Sequence, residues 1–117
     1  MTILDVHEEG GDGLAHLALR GELDLSTVPK VEEALRRVEE SRPPVIVLDL
    51  AGVTFLDSTG LRMVVTADQR ARAEARRLAV VRGPESVQRV FAITRLDEHL
   101  DMVDDVSAVE SAGSPEG

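Results

Sequence analysis

A chain of 117 residues has room for one domain with its own hydrophobic core and not for two. Apolar residues make up 43% and aromatic residues 2%, so that core is built from Val, Leu, Ile and Ala around two phenylalanines. Twenty-two acidic against 13 basic side chains leave a formal charge of −9, which repels nucleic-acid phosphates and anionic membranes, and the lack of cysteine excludes disulfides, thiolate metal sites and a cysteine nucleophile.

The opening MTILDVHEEGG has no basic leader followed by an apolar run, and no later stretch reaches the roughly 18 apolar residues of a membrane span. A cytoplasmic protein with protein partners is therefore expected, touching neither nucleic acid nor membrane. Residues 2–7 and 14–20 alternate or run apolar around the glycine-rich EEGGDG, which predicts a β-hairpin. Val31, Ala34, Leu35 and Val38 then recur at helical spacing, with Ser26 or Thr27 as N-cap and Pro29 in the first turn, so a helix is predicted to end near Ser41.

Pro43 and Pro44 stop that helix, and VIVLDL is an aliphatic run suited to a central strand covered on both faces, continuing through AGVTFL to Asp57. A second helix follows, with Leu61, Val64, Val65, Ala71 and Ala75 expected inward and Arg62, Arg70, Arg76 and Arg77 outward. LAVVR reads as a strand, Gly83-Pro84 as a break, and SVQRVFAI as a short helix burying Val87, Val90 and Phe91. A short last strand falls near Met102 and Val103, and the aperiodic stretch from Ser107 is expected to be disordered. The order β-β-α-β-α-β-α-β implies an α/β domain: a mixed sheet of about four to five strands with helices packed on it.

The stretch with the clearest chemistry is VIVLDLAGVTFLDSTGLRMVV, where a buried strand runs into Asp57-Ser58-Thr59-Gly60 at a helix N-terminus. With Asp57 as N-cap, its carboxylate accepts from the amide of Thr59 or Gly60, and the positive end of the helix faces whatever is attached to Ser58. Read locally, the same residues also suit a plain cap, a first turn and a glycine that permits close packing on the sheet.

GELDLST at 21–27, FLDSTGL at 55–61 and SVQRVFAITRLDEHL at 86–100 resemble the three landmarks of the STAS domain family, and more narrowly its free-standing anti-sigma factor antagonists. The likeness runs in unbroken order over about residues 3 to 106, leaving 107–117 as a tail. It implies a small STAS-like fold and a partner-switching circuit. In that circuit the unmodified antagonist binds an anti-sigma factor that is also a serine kinase, phosphorylation dissolves the complex, and a serine phosphatase resets it. Ser58 matches the family's phosphoacceptor, with Thr59 as the alternative hydroxyl, and Asp24 matches the acidic residue near it. The implied partner-binding face is Asp24, Asp57, Ser58, Thr59, Gly60 and Arg62. Arg62 stands where relatives often carry a small residue, and Thr59 where a second serine is frequent. No cofactor is implied, and a docking face kept free argues for a monomer. The alternative within the resemblance is a subunit of a lipid-transport ATPase or a stressosome-type scaffold without a phosphorylation switch.

Rival chemistries fit less well. A serine enzyme would need a base from His7, His16 or His99, each expected at the surface, and Leu56 rules out a G-x-S-x-G elbow. A two-component receiver would use Asp49, yet it needs an acidic pair after the first strand and a late lysine, and the only lysine is Lys30; Asp49 is instead expected to end its strand and hold the next turn. Asp97, Glu98, Asp101, Asp104 and Asp105 lack the order of a calcium loop, so no metal is expected.

Overall fold

One two-residue turn and three helical crossovers build a five-stranded sheet whose spatial order follows the chain, β1-β2-β3-β4-β5. A computed structural model describes residues 3–113, with side chains through Val109. The strands are β1 Leu4–Gly11, β2 Leu14–Leu23, β3 Val45–Leu56, β4 Arg77–Val81 and β5 Asp101–Val103. The helices are α1 Val28–Glu40, α2 Ser58–Ala73, α3 Glu85–Ile93 and α4 Val106–Gly113, with a 3-10 turn at Leu96–Glu98. β1 runs antiparallel to β2, while β2 and β3, β3 and β4, and β4 and β5 pair in parallel. The expected mixed sheet and element order are therefore present, with VIVLDL in the middle strand.

The hairpin is tighter than its six-residue glycine-rich turn suggested. Pairing continues to Gly11 opposite Leu14, and Asp12 and Gly13 make the turn at φ of 53° and 81°. Two positive φ values twist the turn to match the strands, which is why Asp-Gly suits it.

Leu17, Leu19, Ile46, Leu48, Leu50, Leu78 and Val80 face one side of the sheet, where they bury Val31, Leu35 and Val38 of α1, Met63 and Val64 of α2, and Val87 and Phe91 of α3. The other side carries a smaller cluster in which Val109 of α4 meets Val47, Ala79 and Val81. This departs from the disordered tail expected from Ser107. Val106 and Val109, three apart on one helix face, cover apolar residues that would otherwise lie open, and Asp105 caps the helix by accepting from Ser107 N at 2.7 Å and from the Ser107 hydroxyl. Those two bonds hold the Asp105 carboxyl below the usual carboxylate range. The rest of the expected tail, residues 114–117, lies outside the described residues.

The end of α2 also differs from the periodic reading. The helix stops at Ala73, and Ala75, expected inward, is exposed at a φ of 54°. Arg76, expected outward, is buried along its side chain and donates to the Pro43 carbonyl at 2.9 Å and to Glu74 at 2.6 Å. Arg77 lies in β4 and donates to Asp101 at 2.6 Å across the β4–β5 pair, which raises its pKa. The inward positions are Met63, Val64, Ala67 and Ala71, with Leu61 and Val65 half-buried.

His16 and Asp49 correct two further expectations. His16 is half-buried, and its Nε2 donates to Asp49 Oδ2 at 2.8 Å. Asp49 sits inside β3, where its Oδ1 accepts from Ala51 N at 3.0 Å, just where the β2–β3 register slips between Ala18 and Arg20. The carboxylate stabilises a bulge, and β3 runs on to Leu56 after leaving β4 at Val81.

Candidate functional site

β2 and β3 end side by side, with Leu23 opposite Leu56, and each passes through an aspartate into a helix. At the end of β3, Val53 and Leu56 turn into the core while Phe55 stays 49% exposed. Asp57 follows in extended conformation, with φ −103° and ψ −176°, as the N-cap of α2. Its Oδ1 accepts from Gly60 N at 3.0 Å, the second of the two donors expected, and its backbone N donates to the Leu23 carbonyl at 3.2 Å. The free Oδ2 reaches across to accept from Leu25 N at 3.3 Å and so ties the β3–α2 junction to the β2–α1 loop.

In that loop, Asp24 Oδ1 accepts from Ser26 N at 3.0 Å, from the Ser26 hydroxyl at 2.8 Å and from Thr27 N at 3.2 Å. Thr27 is the N-cap residue of α1, as one of the two candidates, but its hydroxyl bonds outside the helix. It accepts from Asp24 N at 2.9 Å and donates to the Glu22 carbonyl at 2.7 Å. Asp24 thus shapes the turn that sets Leu25 beside Asp57, and Leu25 itself is left 73% exposed.

Ser58 occupies the first position of α2 with its side chain exposed, and neither its hydroxyl nor that of half-buried Thr59 has a partner among the described residues. Arg62 is exposed on the following turn. Gly60 is different in kind. It is buried, and a Cβ there would stand 2.7 Å from the Leu23 carbonyl and 2.9 Å from side-chain atoms of Leu23 and Leu56. Its place in the expected docking face is therefore indirect: it lets α2 start hard against the strand ends, which pushes Ser58 outward.

The expected residues thus fall into one small region at the carboxyl ends of β2 and β3, with Asp57 as the link. Leu25 and Phe55 were not among them. An apolar residue inside GELDLST and another at the end of a strand both look like core in the sequence, and only the fold shows them left outside. The arrangement offers an exposed primary hydroxyl at the positive end of a helix, near two carboxylates and two apolar side chains. Among the described residues no base hydrogen-bonds that hydroxyl. His7 donates to Glu9 at 3.1 Å, His16 is held by Asp49, and no histidine hydrogen-bonds Ser58. Among the described residues no cluster of three His, Asp or Glu side chains is placed to hold a metal, and no helix is long and apolar enough to cross a membrane.

Residues 5–109 match the model of the STAS domain family, and the chain belongs to that family. Within it, the anti-sigma-F factor antagonist RsfB of Mycobacterium tuberculosis is 33% identical over 89 residues, which cover 76% of this chain and 66%, just under two thirds, of that protein. The anti-sigma-B factor antagonist of Listeria monocytogenes is 30% identical over 99 residues, 85% of this chain and 86% of its own. Among solved structures, that of an anti-sigma factor antagonist from Mycobacterium paratuberculosis superposes with a TM-score of 0.84 at 27% identity, covering 94% of this chain and 93% of the other.

Proposed function

We propose that this chain is an anti-sigma factor antagonist. In its unmodified form it docks on an anti-sigma factor serine kinase through the face around Ser58, and phosphorylation of Ser58 releases it. The observation that carries this reading is the exposed, unpartnered Ser58 hydroxyl at the start of α2, in a chain whose named relatives are anti-sigma factor antagonists. Leu25 and Phe55 supply apolar contacts beside it, and Asp57, Asp24, Thr59 and Arg62 supply polar ones at the rim.

The covalent step is a phosphoryl transfer. Ser58 Oγ attacks the γ-phosphorus of kinase-bound ATP, the bond from that phosphorus to the ADP oxygen breaks, and the hydroxyl proton passes to a base on the kinase. The kinase supplies that base, in keeping with a Ser58 hydroxyl that no described side chain hydrogen-bonds. A serine phosphatase reverses the modification with water as the acceptor. All of this takes place in the cytoplasm between proteins, and the antagonist catalyses none of it.

Charge explains the release. A phosphoserine adds about −1.5 to −2 at neutral pH. The helix end offsets part of that charge within the antagonist, whereas the docked partner meets a bulky dianion where a neutral hydroxyl had been. An ill-paired charge in an interface costs about 2 to 5 kcal/mol, or about 30-fold to more than 1000-fold in affinity. Incubation with ATP and an anti-sigma factor serine kinase of its own host, followed by intact mass, should show one added phosphate, lost in Ser58→Ala and kept in Thr59→Ala. Ser58→Asp should fold as the parent does and bind the kinase more weakly by a factor in that range. Equal affinity of the parent, its phosphorylated form and Ser58→Asp would remove the switch.

A further inference from the structure

The proposed switch gives Arg62 a contact with the partner at the rim of the site, yet nothing among the described residues of the chain answers its charge. Arg62 is a cation in the second turn of α2, close to the positive end of the helix, where the dipole favours acids. It has no ion-pair partner among the described residues, and its helical neighbours three and four positions away are Ser58, Thr59, Val65 and Thr66, none of them acidic. The other two arginines of the helix are engaged: Arg70 donates to Glu39 at 3.0 Å and Arg72 to Asp68 at 2.8 Å. An exposed arginine at this spot is a local electrostatic cost that no contact among the described residues of the unmodified chain offsets.

We propose that Arg62 is the internal counter-ion of the phosphoryl group on Ser58, folding back over the first turn of α2 once that group is in place. The inference rests on the reading of Ser58 as phosphoacceptor and adds how the modified state is held. Ser58 and Arg62 are four residues apart, on one face of the helix one turn from each other. Helical side chains lean toward the N-terminus, so a long side chain at 62 covers the turn that carries residue 58. Anion first and cation four residues later is also the favoured orientation of such a pair. The guanidinium presents a planar fork of donors to phosphate oxygens, which a lysine would not. Phosphorylation then changes the docking face twice: it adds a dianion and withdraws a free cation. The partner loses a neutral hydroxyl contact and an arginine contact in one event.

The test places phosphoserine at position 58 during translation and follows the second ionisation of the phosphate by phosphorus NMR, in the parent and in Arg62→Gln. The pair favours the dianion, so the parent midpoint should lie lower than that of Arg62→Gln by roughly half a pH unit, and the gap should close in about 1 M salt. Arg62→Lys should fall between the two. Matching melting temperatures of unmodified parent and unmodified Arg62→Gln establish that the fold is intact. Coincident midpoints in the parent and Arg62→Gln would overturn the proposal. Because the phosphate is installed without a kinase, that result counts against Arg62 alone, whereas a kinase that leaves Ser58 unmodified counts against the switch.

Discussion

The two strand-to-helix junctions at the carboxyl ends of β2 and β3 use the same kinds of residue to opposite ends. Each has an aspartate followed by hydroxyl side chains, Asp24-Leu25-Ser26-Thr27 in one and Asp57-Ser58-Thr59 in the other. In the first, the hydroxyl falls on the N-cap, is only 7% exposed as Thr27, and both gives and takes a backbone hydrogen bond. In the second, the aspartate is itself the N-cap and satisfies Gly60 N, so the hydroxyl of Ser58 falls one position later, where the local backbone makes no use of it. A shift of one position relative to the helix start separates a structural hydroxyl from an available one. Availability, more than residue type, sets the Ser58 hydroxyl apart.

That contrast can be attacked from its foundation. Gly60→Val should have the largest effect, because a Cβ 2.7 Å from the Leu23 carbonyl forces backbone apart. A loss of about 3 kcal/mol, at the upper end of the overpacking range, is expected in urea denaturation, with Ala less severe. A glycine variant as stable as the parent would mean that α2 does not need its close seat on the strand ends. Thr27→Val comes next. It keeps the shape but strips Asp24 N and the Glu22 carbonyl of a shared partner, which should cost about 2 kcal/mol by the same measurement. Asp57→Ala should cost about 1 kcal/mol through the lost cap, and Asp57→Asn much less, since an amide oxygen still accepts from Gly60 N. Amide exchange at Gly60 and Leu25 should quicken in the alanine variant, because one carboxylate serves both.

Much of this architecture could be read from the chain because it depends on local rules. Alternation gave the strands, Asp57 announced a helix start, and VIVLDL could be central only if both its faces were covered, as Leu48 and Val47 now are by opposite clusters. The misreadings share a different origin. Arg76 looks like one more solvent-facing arginine until the fold brings the Pro43 carbonyl, 33 residues earlier, within 2.9 Å. His16 and Asp49 are also 33 residues apart and meet only because β2 and β3 pair in parallel. Helix α4 has a weak pattern of its own and depends on an apolar patch formed by β3 and β4. At the site, Ser58 and Asp57 were legible from sequence, whereas the bond from Leu25 to Asp57 and the exposure of Leu25 and Phe55 required two distant loops to be set side by side.

The smallest expected change in stability belongs to the residue on which the proposed function turns. Ser58→Ala removes a hydroxyl with no hydrogen-bond partner among the described residues, from an exposed position at the first turn of a helix whose cap remains intact. Nothing buried is left unsatisfied and no cavity forms, so denaturation should place the variant within about 0.5 kcal/mol of the parent. The matching deletion at the other junction, Thr27→Ala, removes the same atom and takes from two part-buried backbone groups the partner they share, and it leaves the space of a methyl group. If Ser58→Ala instead proved as damaging as Thr27→Ala, the Ser58 hydroxyl would be part of the fold, and a kinase could take it only by loosening the start of α2. A near-neutral result fits an oxygen that the chain can surrender to phosphate and recover without unfolding any part of itself.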